Sequence, residues 1–241
     1  MKAETSGGRA PSLADQIYAR LKQDIFDFRL LPGDRITESQ IAEQMGASRT
    51  PVREALLRLQ RESYVDVLFR NGWQVKPFDF RYFEELYDIR IALECTAVEH
   101  LCQHTSDTDT LAILQQLKQQ WSLPATGRTT DGPATCAMDE TFHGQLVAAA
   151  GNREMARIHQ DLTERLRIVR RLDFTQPARI DTTYDEHSAI LLAIEEGRAA
   201  DAKQHLQNHI VSSRQAVRTI TLHMLQDART RSQNTTEHTA T

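Results

Sequence analysis

Asp139, His143, His187 and His209 are the residues of this 241-residue chain whose types and spacing could do chemistry. Asp139 and His143 are four positions apart, so a helix through them projects both from one face, about 6 Å from one another. His187 and His209 lie on either side of Gly197. If the chain folds back there as an antiparallel helical hairpin about residue 198, His187 and His209 stand level, each about 16 Å from the turn at the α-helical rise. His205, one turn away, falls off that level. One carboxylate oxygen and three imidazoles suit a borderline divalent cation, Zn²⁺ before Ni²⁺, Mn²⁺ or Fe²⁺. Histidines on bundle helices are more often packed or exposed than metal-bound, so the spacing alone leaves both readings open.

The elements that must position these four side chains read as helices. After Pro77-Phe78-Asp79 no alternating strand pattern recurs. Residues 80–104 form a long amphipathic segment whose apolar stripe runs through Phe83, Leu86, Ile89, Leu93, Ala97 and Leu101. Further helices are expected over 110–121, 134–150, 154–172, 180–196 and 199–225, with a proline- and glycine-rich loop at 123–133. Arg90 lies on the inner side of the first of them. It can pair with an anionic group brought to the metal or with Glu94 one turn on, and the two readings stand side by side. The polar ends, 1–10 and 229–241, are expected to be disordered tails.

Residues 11–77 have another organisation. Ser12 with Asp15 caps a helix carrying Leu13, Ile17, Leu21 and Ile25. Thr37 with Gln40 makes a capping box for a short second helix, and Gly46-Ala47 supplies a tight turn. Ser48 or Thr50 can cap a third helix, whose first turn Pro51 pins. Val52, Leu56 and Leu59 face inward at helical spacing, while Arg49 and Arg53 point elsewhere. Tyr64–Leu68 and Trp73–Lys76 read as two strands joined by Arg70-Asn71-Gly72. Arg70 and Asn71 at the tip could enter a minor groove or touch phosphate, and Gly72 allows positive φ. This is the pattern of a winged helix-turn-helix, with Ser48, Arg49, Thr50 and Arg53 at the start of its recognition helix. A solvated, arginine-bearing surface helix is the plainer alternative, and the wing argues against it.

The net charge of −4 argues against nonspecific coating of nucleic acid. Between Gly46 and Lys76, six Arg or Lys oppose three acids, a local excess that suits one DNA-facing side. No apolar run is long enough for a membrane span and the N-terminus lacks a secretion signal. Three cysteines, Cys95, Cys102 and Cys136, without a C-x-x-C pattern, point to core packing in a reducing cytoplasm.

The segment LLPGDRITESQIAEQMGASRTPVREALLRLQRESYV resembles the DNA-binding domain of GntR-type bacterial transcription regulators. In that family the residues matching Ser48, Arg49, Thr50 and Arg53 contact the operator, and the glycine matching Gly72 lies in the minor groove. Some relatives carry a further arginine where this chain has Ser39, so part of their contact set is absent. Further on, D-x-x-x-F-H-x-x-L…A-G-N and E-H-x-x-I-L-x-A-I-x-x-G…A…H-L-x-x-H-I resemble the all-helical effector domain, called FCD, of the FadR subfamily. The helix count fits its shorter, VanR-like branch. The resemblance implies that Asp139, His143, His187 and His209 are metal ligands, and that a small organic acid is sensed.

The expected fold is therefore mainly α: an N-terminal winged helix-turn-helix over 11–77 and a metal- and effector-binding helical bundle over 78–228. The expected function is that of a homodimeric repressor, cytoplasmic, that binds palindromic operator DNA and is released by a small organic acid. Four protein ligands leave positions open at the metal, so a metal-dependent hydrolase is the competing class. Against it, no Asp or Glu is placed as a general base, and a helix-turn-helix would be surplus. A purely structural metal in an oligomerisation module is a third reading.

Overall fold

The computed structural model describes residues 11–69, 72–104 and 108–239, with side chains through residue 232. The expected tail 1–10 and the wing-tip residues Arg70 and Asn71 lie outside the described residues. The chain divides into two compact units, one of residues up to Phe78 together with Leu225 onward, the other Asp79–Met224.

In the first unit, α1 (Leu13–Phe26) starts on a reciprocal capping box between Ser12 and Asp15 and buries Ile17, Leu21 and Ile25. α2 (Glu38–Met45) starts on the Thr37–Gln40 box and ends at Gly46, whose φ of 58° makes the sharp turn into α3 (Arg49–Arg61). Val52, Ala55, Leu56 and Leu59 of α3 are buried, and α3 packs against α1. The wing is β2 (Val65–Leu68) with β3 (Gly72–Val75), antiparallel, Val67 opposite Trp73. A two-residue strand that sequence reading missed, β1 (Arg35–Ile36), pairs with the other side of β3, giving the order β1-β3-β2. Two residues are too few for any alternation to show.

The second unit is helical: α4 (Phe80–Gln103), α5 (Thr108–Trp121), a 3₁₀ turn (Ala125–Gly127), α6 (Gly132–Ala149), α7 (Arg153–Asp173), α8 (Pro177–Glu195) and α9 (Ala199–Arg218). α4 lies against α6, α7 and α9, and α8 and α9 form an antiparallel pair turning at Gly197, whose φ is 67°. Pro133 sits in the first turn of α6, and Pro177 in that of α8, where a missing N–H costs nothing. A β-carbon at Gly132 would collide with the carbonyl of Phe174, so the start of α6 can close on the end of α7 only with glycine there.

Three expectations need correction. Ile89 is 48% exposed; the buried stripe of α4 carries Arg90, on the inner side as expected, and with it Glu94, between Tyr87 and Ala97. The helix expected over 199–225 stops at Arg218. Thr219-Ile220-Thr221, all β-branched, interrupts it, and α10 (Leu222–Thr239) follows. The segment expected as a disordered tail from 229 thus continues a helix. It has partners within its own unit: Leu225 and Ala228 are buried, Arg229 ion-pairs with Asp34, and Arg29 Nη1 donates to Ser232 Oγ at 3.4 Å. Its polar composition hid anchoring contacts about two hundred residues away in sequence.

Candidate metal centre and DNA-facing surface

Asp139 and His143 project from one face of α6, His187 from α8 and His209 from α9, and all four are buried. Each offers one donor atom, and the four atoms lie within 4.8 Å of one another. His143 Nε2 and His209 Nε2 are 3.1 Å apart, and His187 Nε2 and His209 Nε2 3.4 Å. Asp139 Oδ1 stands 3.5, 3.2 and 3.7 Å from Nε2 of His143, His187 and His209. Donors 2.0–2.2 Å from a single ion must be about 3–3.6 Å from one another, depending on coordination number. His205, by contrast, is exposed on α9.

The outer ring nitrogens fix which way the lone pairs face. His143 Nδ1 donates to Glu94 Oε2 at 2.6 Å, and His209 Nδ1 to Glu186 Oε2 at 2.7 Å. Both Nε2 atoms therefore turn lone pairs toward the centre, where Asp139 Oδ1 is another acceptor and has no hydrogen-bond partner. Burial holds the His143 pKa below the usual imidazole value. His187 and His209 are pushed well below it, by burial and then by the neighbouring imidazoles. Neutral rings, converging lone pairs and an orphaned carboxylate oxygen fit a divalent cation, which would relieve all of them together.

His187 is held differently. Its ring stacks on Phe142 at 3.7 Å between centroids and takes the Trp121 ring edge-on at 4.2 Å, while its Nδ1 has no hydrogen-bond partner.

Charged groups surround the centre. Arg170 of α7 ion-pairs with Asp139; burial, then Arg90, brings the Arg170 pKa down to about 10, leaving it charged at neutral pH. Arg179 donates to Glu186 at 2.8 Å and to Ser213 Oγ at 2.8 Å, and pairs with Asp173 at 3.2 Å. Of the two readings that its sequence position allowed, the structure contains the pairing of Arg90 with Glu94. Its Nε is bound to Glu94 at 2.6 Å, while its Nη2 is buried without a hydrogen-bond partner. Sequence reasoning did not find Arg170, Arg179 or Glu186, which reach the ligands from other helices or from beside one, nor His159, which touches Glu94 and no candidate ligand. Only the Arg90–Glu94 spacing gave a local signal.

In the other unit, Ser48, Arg49, Thr50 and Arg53 are all exposed along the start of α3. Ser48 occupies the N-cap position but makes no side-chain cap bond, so its hydroxyl is not spent on the helix. Arg53 Nε lies 3.8 Å from Glu38 Oε1, which also accepts from Trp73 Nε1 of the wing at 3.4 Å. Gly72 has a φ of +84°, and a β-carbon there would stand 2.8 Å from the Ile36 carbonyl oxygen. The fold itself therefore requires glycine here. Gly72→Ala is expected to destabilise this unit by roughly 1–3 kcal/mol, read as a lowered urea midpoint. An unchanged midpoint would leave no structural need for the glycine.

Residues 13–75 match the family described as bacterial regulatory proteins, gntR family, and residues 85–212 match the FCD domain. The chain is 32% identical over 184 residues to the Nta operon transcriptional regulator of Aminobacter aminovorans, covering 76% of this chain and 85% of that protein. It is 29% identical over 194 residues to the HTH-type transcriptional regulator YdhC of Bacillus subtilis, covering 80% and 86% of the two. Its fold is similar to a crystal structure from Rhodococcus sp. RHA1 described as a GntR transcriptional regulator. The TM-score is 0.67 at 19% identity, over 86% of this chain and 99% of that one. These relatives are regulators rather than enzymes, which sets the hydrolase reading aside. Among the described residues no helix is long and apolar enough to cross a membrane.

Proposed function

Because the chain belongs to the gntR family of bacterial regulatory proteins and carries an FCD domain, we propose that it is a dimeric transcriptional repressor released by a small organic acid bound at a divalent metal centre. Zinc is the ion that the donor set suits best, with Ni²⁺, Mn²⁺ and Fe²⁺ next. The observation that carries the reading is the convergence in one buried site of three imidazole Nε2 atoms, those of His143 and His209 with lone pairs turned inward, and Asp139 Oδ1, which has no hydrogen-bond partner. Asp139, His143, His187 and His209 would hold the metal, which supplies Lewis acidity for a carboxylate. Arg90 Nη2 would meet a second anionic group. Hydroxy, sugar or aromatic acids are the effector class in view.

On the DNA side, Ser48, Arg49, Thr50 and Arg53 would read or position the operator, with the wing residues Arg70, Asn71 and Gly72 at the adjacent minor groove. Two recognition helices related by a two-fold axis demand inverted half-sites. Footprinting is expected to show a short palindrome, and Arg49→Ala to weaken specific binding by roughly 1–3 kcal/mol if it reads a guanine edge. An asymmetric, unrepeated footprint would sink the dimeric reading. Acids that raise the melting temperature are then titrated with and without operator. Linkage requires operator to weaken the acid by the factor by which the acid weakens operator, typically 5–150-fold. Equal affinities would mean that the acid is no inducer.

A further inference from the structure

Glu94 lies in the middle of α4, fully buried, and its two oxygens serve three other groups. Oε2 accepts from His143 Nδ1 at 2.6 Å. Oε1 accepts from Arg90 Nε at 2.6 Å and from His159 Nε2 at 2.8 Å. One carboxylate therefore stands between a candidate metal ligand on α6 and the guanidinium whose Nη2 is buried and unpartnered. Its counterpart Glu186, on His209, is a quarter exposed, so water can stand in for part of its role. Nothing of the kind is open to Glu94.

We propose that Glu94 is a positioning residue that ties the orientation of Arg90 to the occupancy of the metal centre. The inference rests on the metal reading above and adds a direction of influence to it. When His143 Nε2 gives its lone pair to a cation, its Nδ1–H becomes a stronger donor and draws Oε2 closer. The carboxylate is rigid and planar, so Oε1 moves with Oε2, and Arg90 Nε must follow the oxygen that holds it. Metal loading thereby sets where Nη2 points. An anion that touches only Arg90 would then still depend on the metal.

The test uses the full chain, with zinc alone as the probe, in two measurements. In wild type, the Arg90 Nε–H resonance, assigned by its loss in Arg90→Lys, is followed as zinc is added to metal-free protein. It is expected to shift in step with zinc occupancy, and a resonance that stays put overturns the proposal without any appeal to a variant. Zinc affinity is then measured by chelator competition for Glu94→Gln and His159→Gln. An amide cannot accept on both sides, so Glu94→Gln should bind zinc 10–100-fold more weakly. His159→Gln should stay near wild type, since it touches the carboxylate but no candidate ligand. Wild-type zinc affinity in Glu94→Gln overturns the proposal. Failure of wild type to take up stoichiometric zinc would instead remove the metal reading on which it stands.

Discussion

His187→Ala is expected to purify without stoichiometric metal, whereas His205→Ala carries the wild-type amount. The two histidines lie on neighbouring helices of one hairpin, but His187 is buried with its Nε2 3.4 Å from His209 Nε2, and His205 faces solvent. Losing one of four donors removes the native-state-only binding that stabilises by mass action, about 4 kcal/mol at free metal a thousandfold above the dissociation constant. In a domain of this size that is a fall of roughly 8–16 °C in melting temperature. A second loss must be separated from it. His187 fills the space between Phe142 and Trp121, so alanine there also leaves a cavity. Melting both proteins with a chelator isolates the cavity cost, and the extra difference without chelator is the metal's share. His143→Ala should behave alike. Elemental analysis that finds normal metal in His187→Ala, or none in His205→Ala, would refute the ligand set.

Much of this centre could be read from the chain because its geometry is local or symmetric. Asp139 and His143 share a face by the helical period alone. His187 and His209 meet because they are equally far from a single glycine turn, and Gly197 does adopt the left-handed conformation that makes the turn. The capping boxes at Ser12 and Thr37 were legible for the same reason, being contained within four residues. What surrounds the ligands was not. The Arg170–Asp139, His159–Glu94 and Glu186–His209 contacts join different helices, and no periodicity in one helix reports its neighbour's polar side chains. Hydrophobic patterning even misled on α4, where it favoured Ile89 for the interior. The site buries Arg90 and Glu94 because each finds a charged partner there. The C-terminal helix was missed likewise, since its composition is polar and its anchors, Asp34 and Arg29, lie near the other end of the sequence.

Mild acid should unfold the second unit steeply once pH falls below about 6.5, the value of an unperturbed imidazole. The sign follows from the three imidazoles. Burial lowers the pKa of His143, and of His187 and His209 still further, so the native state keeps them neutral where the unfolded chain, with pKa near 6.5, takes up protons. Stability from this source is fully present above the unfolded value and is lost as pH falls through it. Three protons bound only by the unfolded state give a limiting slope of about 4 kcal/mol per pH unit. Against a typical total of 5–15 kcal/mol, about one to four units of acidification suffice. Glu94 does not share the window. Burial alone would raise its pKa, but Arg90 and the two histidines outweigh that and hold it well below the ordinary glutamate value, so its contribution survives until stronger acid. A bound metal needs the same neutral rings, so metal release should track unfolding rather than precede it by whole units. Trp121, 4.2 Å from the His187 ring, reports the event once Trp73 is replaced by phenylalanine. Urea midpoints from its fluorescence at pH 7.5, 6.5 and 5.5, with and without chelator, give the slope. His187→Leu should reduce it by about a third in the metal-free protein. Midpoints that stay level from pH 7.5 to 5.5 would mean that these rings are not buried neutral, and the lone-pair argument for the metal would fall with them.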